Sequence, residues 1–466
     1  MGKNREIGNI SPGDRSRWNT AIFLLLCATP VFSTLGYGGV DIWAQSFLAL
    51  AAALVVIFWA ADAWRKKEFR FDSGSLQLPI MGLIIIGVVQ LLPLSDRGIS
   101  PELLGTPAAA ALSMDPYATR FFVIRLIILF VFFAAALAYI DSRERVKKTV
   151  LMTVIFGAVM AFFAILQRLA SPEAIYGLRP TPQAISFGPF VNQHHFAAFM
   201  EMTAGLTLSL LLGNAIKKDR KLLLGIAAAL MGIAVVFSGS RGGLISLVSV
   251  IGAVVLAHYF LKKRDAREPQ DSGRKLLVFA AAAVAAIVIV GGSAIFLGEG
   301  DFLLRATGLQ ADQSDITSGR LHFWSVAVQI FLAHPVLGAG YDAFGAAFSR
   351  YDTWTGMYRV EQAHNDYLQI LADAGIAGFA CIAAFIFLFF RKSLNIIGSS
   401  ADRFGRDAAI GALAGCTGIL VHSFFDFPLR TTSNAFFFLL LVVIAISGFD
   451  LRRKFVGSEP PAIRMA

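Results

Sequence analysis

Hydrophobic positions along this chain are gathered into runs of roughly 17–22 residues, the length that crosses a bilayer core as a helix. Polar stretches, most of them short, separate the runs. We therefore predict twelve transmembrane helices, with ends uncertain by a few residues. They cover residues 19–36, 43–64, 78–94, 121–140, 149–169, 193–214, 222–238, 243–261, 277–297, 376–390, 408–425 and 434–450.

The composition agrees with a membrane protein. The chain is 56% hydrophobic and 15% charged, whereas soluble domains contain about 25% charged residues. Its three cysteines, Cys27, Cys381 and Cys416, all lie in apolar runs, so neither a disulfide framework nor a thiolate metal site is indicated. The sequence predicts an all-α polytopic membrane protein.

Basic residues alternate between the two sides of this predicted membrane protein. Every lysine falls on one side, and the eleven basic residues on the other side are all arginines. Because lysine and arginine concentrate in cytoplasmic loops, the lysine-bearing side is predicted to be cytoplasmic, with both termini there. The first apolar run is predicted to be a retained span rather than a cleaved signal. The net charge of +10 is spread over these loops, which gives no indication of nucleic-acid binding.

One polar interval on the arginine-only side, from Glu299 to about Gly375, is long enough to fold as a small subdomain. Helices are predicted near 318–333, 344–351 and 362–374, and the first has apolar positions at the spacing of an interfacial helix. We divide the chain into transmembrane helices (1–297), a large outer loop with interfacial helices (298–375), and transmembrane helices with a cytoplasmic tail (376–466).

His364 is predicted to lie in the first turn of the helix near 362–374. The positive end of a helix dipole favours neutral imidazole, the form that a general base needs near neutral pH. Asn365 or Asp366 would orient the ring. The alternative is a structural histidine at a helix cap.

The turn Ser238-Gly-Ser-Arg-Gly-Gly243 joins two predicted spans on the same outer side. Arg241 would open a helix, whose free N–H groups and positive dipole favour anions. Since arginine binds phosphate bidentately, the turn predicts a phosphate site. The alternative is a tight interhelical turn whose arginine reaches the membrane interface.

The stretch Phe190-Val-Asn-Gln-His-His-Phe196 leads into the sixth predicted span. Adjacent helical residues point about 100° apart, so His194 and His195 are poorly arranged for chelation. Glu201 follows His194 by seven residues on the same helical face, and an intramembrane glutamate is a functional candidate. We expect a direct role for His194, His195 or Glu201, unless Glu201 only pairs with an arginine. No Asp-x-Asp pair occurs on the outer side, so neither a metal nor another cofactor is expected.

Arginines and a neutral histidine at the boundary of lipid and periplasm suggest transfer from a lipid-phosphate donor. Arg241 and Arg320 would stabilise the charge of a departing lipid pyrophosphate. A base would take a proton from an attacking hydroxyl.

With these motifs the chain resembles the O-antigen ligase/polymerase family of bacterial envelope glycosyltransferases, which have a GT-C-like membrane fold. The resemblance covers most of the chain and is strongest from Phe190 to Gly378. The matching stretches are Phe190-Val-Asn-Gln-His-His-Phe-Ala197, Ser238-Gly-Ser-Arg-Gly-Gly243, Ser318-Gly-Arg320 with Trp324, Pro335-Val-Leu-Gly-Ala-Gly340, His364-Asn365 and Gly375-Ile-Ala-Gly378.

This resemblance implies that His364 is the base and that Arg241 and Arg320 hold the donor pyrophosphate. It also implies an undecaprenyl-pyrophosphate-linked glycan donor, inversion at the anomeric carbon, no metal, and a periplasmic active site in the bacterial inner membrane. The supporting candidates are Arg179, Asn192, His195, Glu201 and Asn365.

The resemblance does not identify the glycan acceptor. A ligase transfers glycan to lipid A-core, a polymerase to a second lipid-linked glycan, and a protein O-oligosaccharyltransferase to serine or threonine. The stretch with Asn192 and His195 is similar to exopolysaccharide-type members and slightly favours a polymerase. Membrane lipids and a chain-length regulator protein are expected partners. The other hypotheses are a transporter or flippase of lipid-linked glycan, which would need charged residues deep in several spans, and a non-catalytic scaffold.

Overall fold

The chain is described by a computed structural model that covers residues 16–72, 74–94, 111–170, 174–182, 184–264, 319–353 and 360–447. These residues form thirteen α-helices and a short antiparallel hairpin of β1 (Ala174–Ile175) and β2 (Arg179–Pro180). The helices are α1 (Arg17–Leu35), α2 (Ile42–Lys66), α3 (Gln77–Gln90), α4 (Pro116–Tyr139), α5 (Arg143–Ala170), α6 (Gln193–Leu212), α7 (Lys218–Phe237), α8 (Arg241–Arg264), α9 (Arg320–Ala333), α10 (Phe344–Tyr351), α11 (Asp366–Ser399), α12 (Arg403–His422) and α13 (Thr432–Ile446).

The prediction of an all-α polytopic membrane protein is confirmed. Within the described residues, nine helices are long and apolar enough to cross a membrane, and α3 and α13 are shorter apolar helices. Eleven of the twelve predicted spans coincide with helices. The remaining one, 277–297, lies outside the described residues, as does 298–318 of the predicted outer loop.

The predicted helix near 362–374 and the predicted span 376–390 form one element, α11, which is interrupted at Gly375. Gly375 has φ +61°, and a Cβ there would lie only 2.4 Å from the Val336 oxygen. The turn that follows α9 fills this interruption, because the amides of Ile376 and Ala377 donate to the carbonyls of Pro335 and Val336. Glycine is needed here for its backbone conformation and for the close approach of another segment.

The outer helices enclose a small core of their own. Val326 and Ile330 of α9 pack with Phe344 and Phe348 of α10. The opposite face of α9 is apolar and exposed, with Leu321 and Leu332 both more than half accessible. This is the face that the sequence assigns to the membrane interface, and that assignment stays a prediction.

The centre of the bundle is the contact between α6 and α12, the two most buried of the long helices. Their backbones meet at glycines: a Cβ on Gly205 would lie 2.6 Å from the Gly415 nitrogen and 2.7 Å from the Gly411 oxygen. Small residues allow such close packing, which drives helix association where lipid offers no hydrophobic gain.

Replacing Gly205 with alanine is therefore expected to destabilise the protein by about 1–3 kcal/mol, the usual cost of overpacking. The matched control is Gly225→Ala in α7, where an added Cβ meets nothing within 4 Å. The measurement is thermal unfolding of the detergent-solubilised protein. Equal melting temperatures for the two variants would contradict the tight α6–α12 contact.

The helix ends separate the bundle into two chemically different faces. The described lysines all lie near the helix ends that meet at Arg143–Asp402 and Arg70–Asp141. The opposite face brings together the starts of α6, α8, α9, α11 and α13, which contact one another through polar side chains. The candidate site lies at this second face.

Candidate active site

The connection between α12 and α13 carries the central residue of the site, Asp426. The chain turns sharply after α12, because the amides of Phe425 and Asp426 both donate to the His422 carbonyl. One Asp426 oxygen, Oδ1, accepts a hydrogen bond from the Phe427 amide at 2.8 Å. The turn buries the Asp426 carboxylate, which is 1% exposed.

Three side chains from separate stretches of the chain converge on this carboxylate. His364 Nδ1 lies 3.3 Å from Oδ1, Arg320 Nη2 lies 3.6 Å from Oδ2, and His194 Nε2 lies 3.9 Å from Oδ2. These distances are slightly longer than ordinary hydrogen bonds, and contacts in a catalytic site often shorten when substrate binds.

The electrostatics of the cluster keep Asp426 ionised. Burial by itself would raise the pKa of this carboxyl, but the close imidazole of His364 and the neighbouring His194 and His195 bring the pKa below its ordinary range. A buried carboxylate that stays charged can orient an imidazole and stabilise the imidazolium form.

His364 lies one residue before the N-cap of α11, and the expectation that it belongs to the first helical turn is wrong. It has φ +51°, a left-handed conformation that is uncommon for residues other than glycine. The ring packs edge-on against Phe427, with 4.9 Å between ring centroids. The backbone therefore directs His364 toward the 423–427 turn rather than along the helix.

The expected orienting residues of His364 have other partners. Asn365 is the N-cap of α11, and its side-chain oxygen accepts from the amides of Tyr367 and Leu368. Asp366 accepts a hydrogen bond from Ser423 Oγ at 2.9 Å. Both residues fix the start of α11 and the 423–427 turn, whereas Asp426 is the carboxylate that faces His364.

Arg241 and Arg320 each open a helix, α8 and α9 respectively. Burial lowers the pKa of the Arg320 guanidinium, Asp426 opposes this, and the nearby Arg241 adds to it. Both groups remain charged, since arginine does not deprotonate in proteins. The repulsion between the two guanidinium groups would be relieved by a bound anion, and two helix N-termini favour the same charge.

The turn before α8 leaves room beside Arg241. Gly239 has φ +68°, and a Cβ there would meet only Gln193 Oε1, at 4.0 Å. Ser240 caps α8, because its Oγ accepts from the Gly243 amide at 3.1 Å. His194 Nδ1 lies 2.8 Å from the same Oγ, so this histidine joins the α8 cap to the Asp426 cluster.

Residues 226–383 match the family model of the O-antigen ligases. This match supports assigning the chain to the O-antigen ligase family. No curated protein matched in the comparison made with this chain. The match supports a glycosyltransferase of the O-antigen ligase/polymerase type and a multi-pass protein of the inner membrane.

The matched segment contains Arg241, Arg320 and His364, the three residues expected to carry the chemistry. His194 and Asp426 lie outside it. The structure brings Arg320 and His364 to one carboxylate and Arg241 next to Arg320. Arg320 and His364 thus approach the same carboxylate, Arg241 is close enough to Arg320 to act on its charge, and the assignment of the chemistry to these three residues stays a prediction.

The structure shows partners for two of the supporting candidates, Arg179 and Asn192. Arg179 in β2 pairs with Asp41 at 2.8 Å and lies over the Tyr37 ring at 4.8 Å. Asn192 is the N-cap of α6, and its Oδ1 accepts from the His194 amide at 2.8 Å. Asn192 thereby orients the backbone that carries His194.

His195 and Glu201 are both buried in α6. His195 Nδ1 lies 2.6 Å from Thr431 Oγ1, and its ring contacts the Phe427 ring. Glu201 Oε1 lies 2.9 Å from Nδ1 of His422, so its partner is a histidine rather than the arginine considered from the sequence. These contacts attach α6 to both ends of the loop that carries Asp426.

Arg430 anchors that loop to the outer subdomain. Its guanidinium lies 2.6 Å from Asp342 Oδ1 and also pairs with Asp373 of α11. Burial would raise the pKa of the Asp342 carboxyl, but Arg430 and Arg125 lower it, so the pKa falls below its usual value. Arg125 also donates to the Arg430 carbonyl at 3.2 Å, which gives this intramembrane arginine a structural partner.

The sequence contains one signal that would have identified Asp426. It is the only acidic residue between the last two predicted spans, and Arg430 is the only basic one there. A single carboxylate in an outer loop is weak evidence without coordinates. Its importance follows from burial and from the three side chains that surround it.

Proposed function

We propose that this protein is an O-antigen ligase family member that transfers a saccharide from an undecaprenyl-pyrophosphate-linked donor to an acceptor hydroxyl, with inversion at the anomeric carbon. The observation that carries this proposal is the shared contact of His364 and Arg320 with one buried carboxylate, Asp426, beside Arg241. A base and two phosphate-binding groups are thereby available to one pocket.

The proposed proton transfer starts at His364. Its Nδ1 faces Asp426, which leaves Nε2 to accept the proton of the acceptor hydroxyl. The ionised Asp426 would hold the ring in position and stabilise the imidazolium that forms. The acceptor oxygen then attacks the anomeric carbon from the face opposite the diphosphate, and this single displacement inverts the configuration.

The proposed leaving group is the lipid diphosphate. Its negative charge grows as the bond from the anomeric carbon to the phosphate oxygen breaks. Arg241, Arg320 and the free N–H groups at the start of α8 would stabilise this charge more strongly in the transition state than in the bound donor. We expect the reaction on the periplasmic side, because the pocket lies at the bundle face away from the lysines.

The direct test is reconstitution of the purified protein in liposomes with an undecaprenyl-diphosphate-linked oligosaccharide. Lipid A-core, a second lipid-linked oligosaccharide and a serine-containing peptide are supplied as separate acceptors. We expect a glycosylated product with either lipid A-core or the lipid-linked acceptor, which would define a ligase or a polymerase respectively. Correctly inserted protein that forms no product with any acceptor would refute the proposed function.

A further inference from the structure

His194 connects the shared carboxylate to the α8 cap. Its Nδ1 lies 2.8 Å from Ser240 Oγ, and its Nε2 lies 3.9 Å from Asp426 Oδ2. The second distance is an ion-pair approach rather than a hydrogen bond, so Nε2 is available to a ligand. The side chain is 25% exposed, and therefore the ring also borders open space.

The two imidazoles occupy different sides of Asp426. His364 approaches Oδ1, whereas His194 approaches Oδ2 together with Arg320. His194 is also the ring attached to Ser240, the residue directly before Arg241. His194 thus borders the arginine side of the pocket, where a diphosphate would bind.

We propose that His194 is a second catalytic residue, the proton donor to the departing diphosphate, acting opposite the base His364. This inference rests on the proposed function. It assigns acid and base to two histidines that share one carboxylate.

The proposed step balances in protons and charge. His364 takes the proton of the acceptor hydroxyl while the new bond to the anomeric carbon forms. The bond between that carbon and the diphosphate oxygen breaks, its electrons go to the oxygen, and His194 Nε2 gives that oxygen a proton. One imidazolium disappears as another forms, so Asp426 has one positively charged imidazole partner before and after the step. Both rings then exchange protons with water through their exposed edges.

Binding of the diphosphate would favour the protonated form of His194 before the reaction. Without ligand, burial disfavours a positive charge on His194, and the neighbouring Arg320, His364 and Arg241 add to this effect, whereas Asp426 favours the charge. A diphosphate adds at least two negative charges beside Nε2 and shifts this balance toward imidazolium. The groups that act on His194 from the surrounding elements are Asp426, Arg320, His364, Arg241, His195 and His422.

A binding experiment tests this coupling without requiring turnover. Undecaprenyl diphosphate is titrated into the detergent-solubilised protein by calorimetry, in two buffers with different ionisation enthalpies. We expect the wild type to take up about one more proton per bound lipid than His194→Gln, because glutamine cannot titrate. Equal proton uptake by the two proteins would overturn the proposal.

The matched control for this titration is His322→Gln. His322 lies in α9, close to Arg320 in sequence, but its Nε2 pairs with Asp352 at 2.7 Å. This variant is expected to take up as many protons as the wild type. If His194→Gln does not accumulate in the membrane, His194→Asn replaces it, since its amide is also polar and does not titrate.

A rate experiment distinguishes acid catalysis from a structural role. For wild-type glycan transfer we expect kcat to fall at alkaline pH, where His194 loses its proton. His194→Gln should lower kcat by about 10²–10⁴-fold, leave KM nearly unchanged and remove the alkaline fall. A lower rate with an unchanged pH profile, or an effect confined to KM, would show that His194 only supports the site.

The two experiments separate failure of this inference from failure of the proposed function. Transfer by the wild type with an unchanged alkaline fall in His194→Gln rejects His194 as the acid and leaves the glycosyltransferase proposal intact. Absence of transfer by the wild type rejects both, whatever the titration shows.

Discussion

Replacing His364 with alanine is expected to lower glycan transfer by about 10²–10⁴-fold, the contribution of a positioned general base. Alanine removes the imidazole that lies against Asp426 Oδ1 and leaves both arginines in place. Donor binding should therefore persist while proton removal from the acceptor is lost. The loss should appear in kcat rather than in KM for the donor.

This prediction is measured as initial rates of product formation at saturating donor, with membrane insertion checked separately. The control is again His322→Gln, whose pairing with Asp352 keeps it away from Asp426, and its rate should stay within a few-fold of the wild type. Full activity of His364→Ala would remove His364 from the mechanism, even if the protein proves to be a glycosyltransferase.

The spans were predictable because a bilayer sorts residues by hydropathy, which is a local property of the sequence. Their ends were less accurate. The eleventh predicted span continues to 425, because Phe424 and Phe425 extend its apolar run, whereas α12 ends at His422. Hydropathy does not show that the chain has already turned after His422. This turn directs Asp426 into the protein.

Site residues were predictable only where the residue type and its position relative to a helix start were sufficient to indicate a role. Arg241 and Arg320 stand at helix starts, and His364 precedes one, so short motifs indicate them. The partner of His364 was not predictable from neighbouring residues, because Asp426 arrives from another loop. The left-handed backbone of His364 was equally hidden, since the sequence pattern is compatible with placing it inside the helix.

The partners in buried polar pairs between helices were likewise not predictable from the sequence. Glu201 stood out as a carboxyl in an apolar span, but its partner, His422, lies at the end of a helix far along the chain. Sequence proximity suggested an arginine instead. Contacts between α6 and α12 depend on helix packing at Gly205, and the Gly411-x-x-x-Gly415 spacing in α12 indicates a packing face without specifying α6 as its partner.

Replacing Asp426 with asparagine is expected to reduce transfer by about 10³–10⁴-fold, the size of effect known for removing the aspartate charge behind a catalytic histidine. Asparagine has nearly the same shape, so the 423–427 turn should survive. It would no longer stabilise an imidazolium at His364, and its amide would favour a different tautomer of the ring. It would also leave Arg320 without the carboxylate that it now approaches at 3.6 Å.

The pH dependence of this variant gives a second readout. Because the pKa of Asp426 lies below the ordinary carboxyl range, the group is ionised throughout a usual assay range, and its contribution is lost only at pH values below that range. Any fall in wild-type activity between neutral and mildly acidic pH must therefore come from protonation of a group other than Asp426. The loss of activity in Asp426→Asn should accordingly be present throughout this range.

The matched control for Asp426→Asn is Asp407→Asn, which removes a carboxylate that is also buried but lies in α12 near the lysine-bearing face. Asp407 accepts from the Ala215 amide and faces none of the site residues, so this variant should change the melting temperature more than the rate. Asp426→Asn activity within tenfold of the wild type throughout this pH range would contradict the orienting role of Asp426. In that case the convergence of His364, Arg320 and His194 on one carboxylate would serve the packing of the outer loops rather than the chemistry.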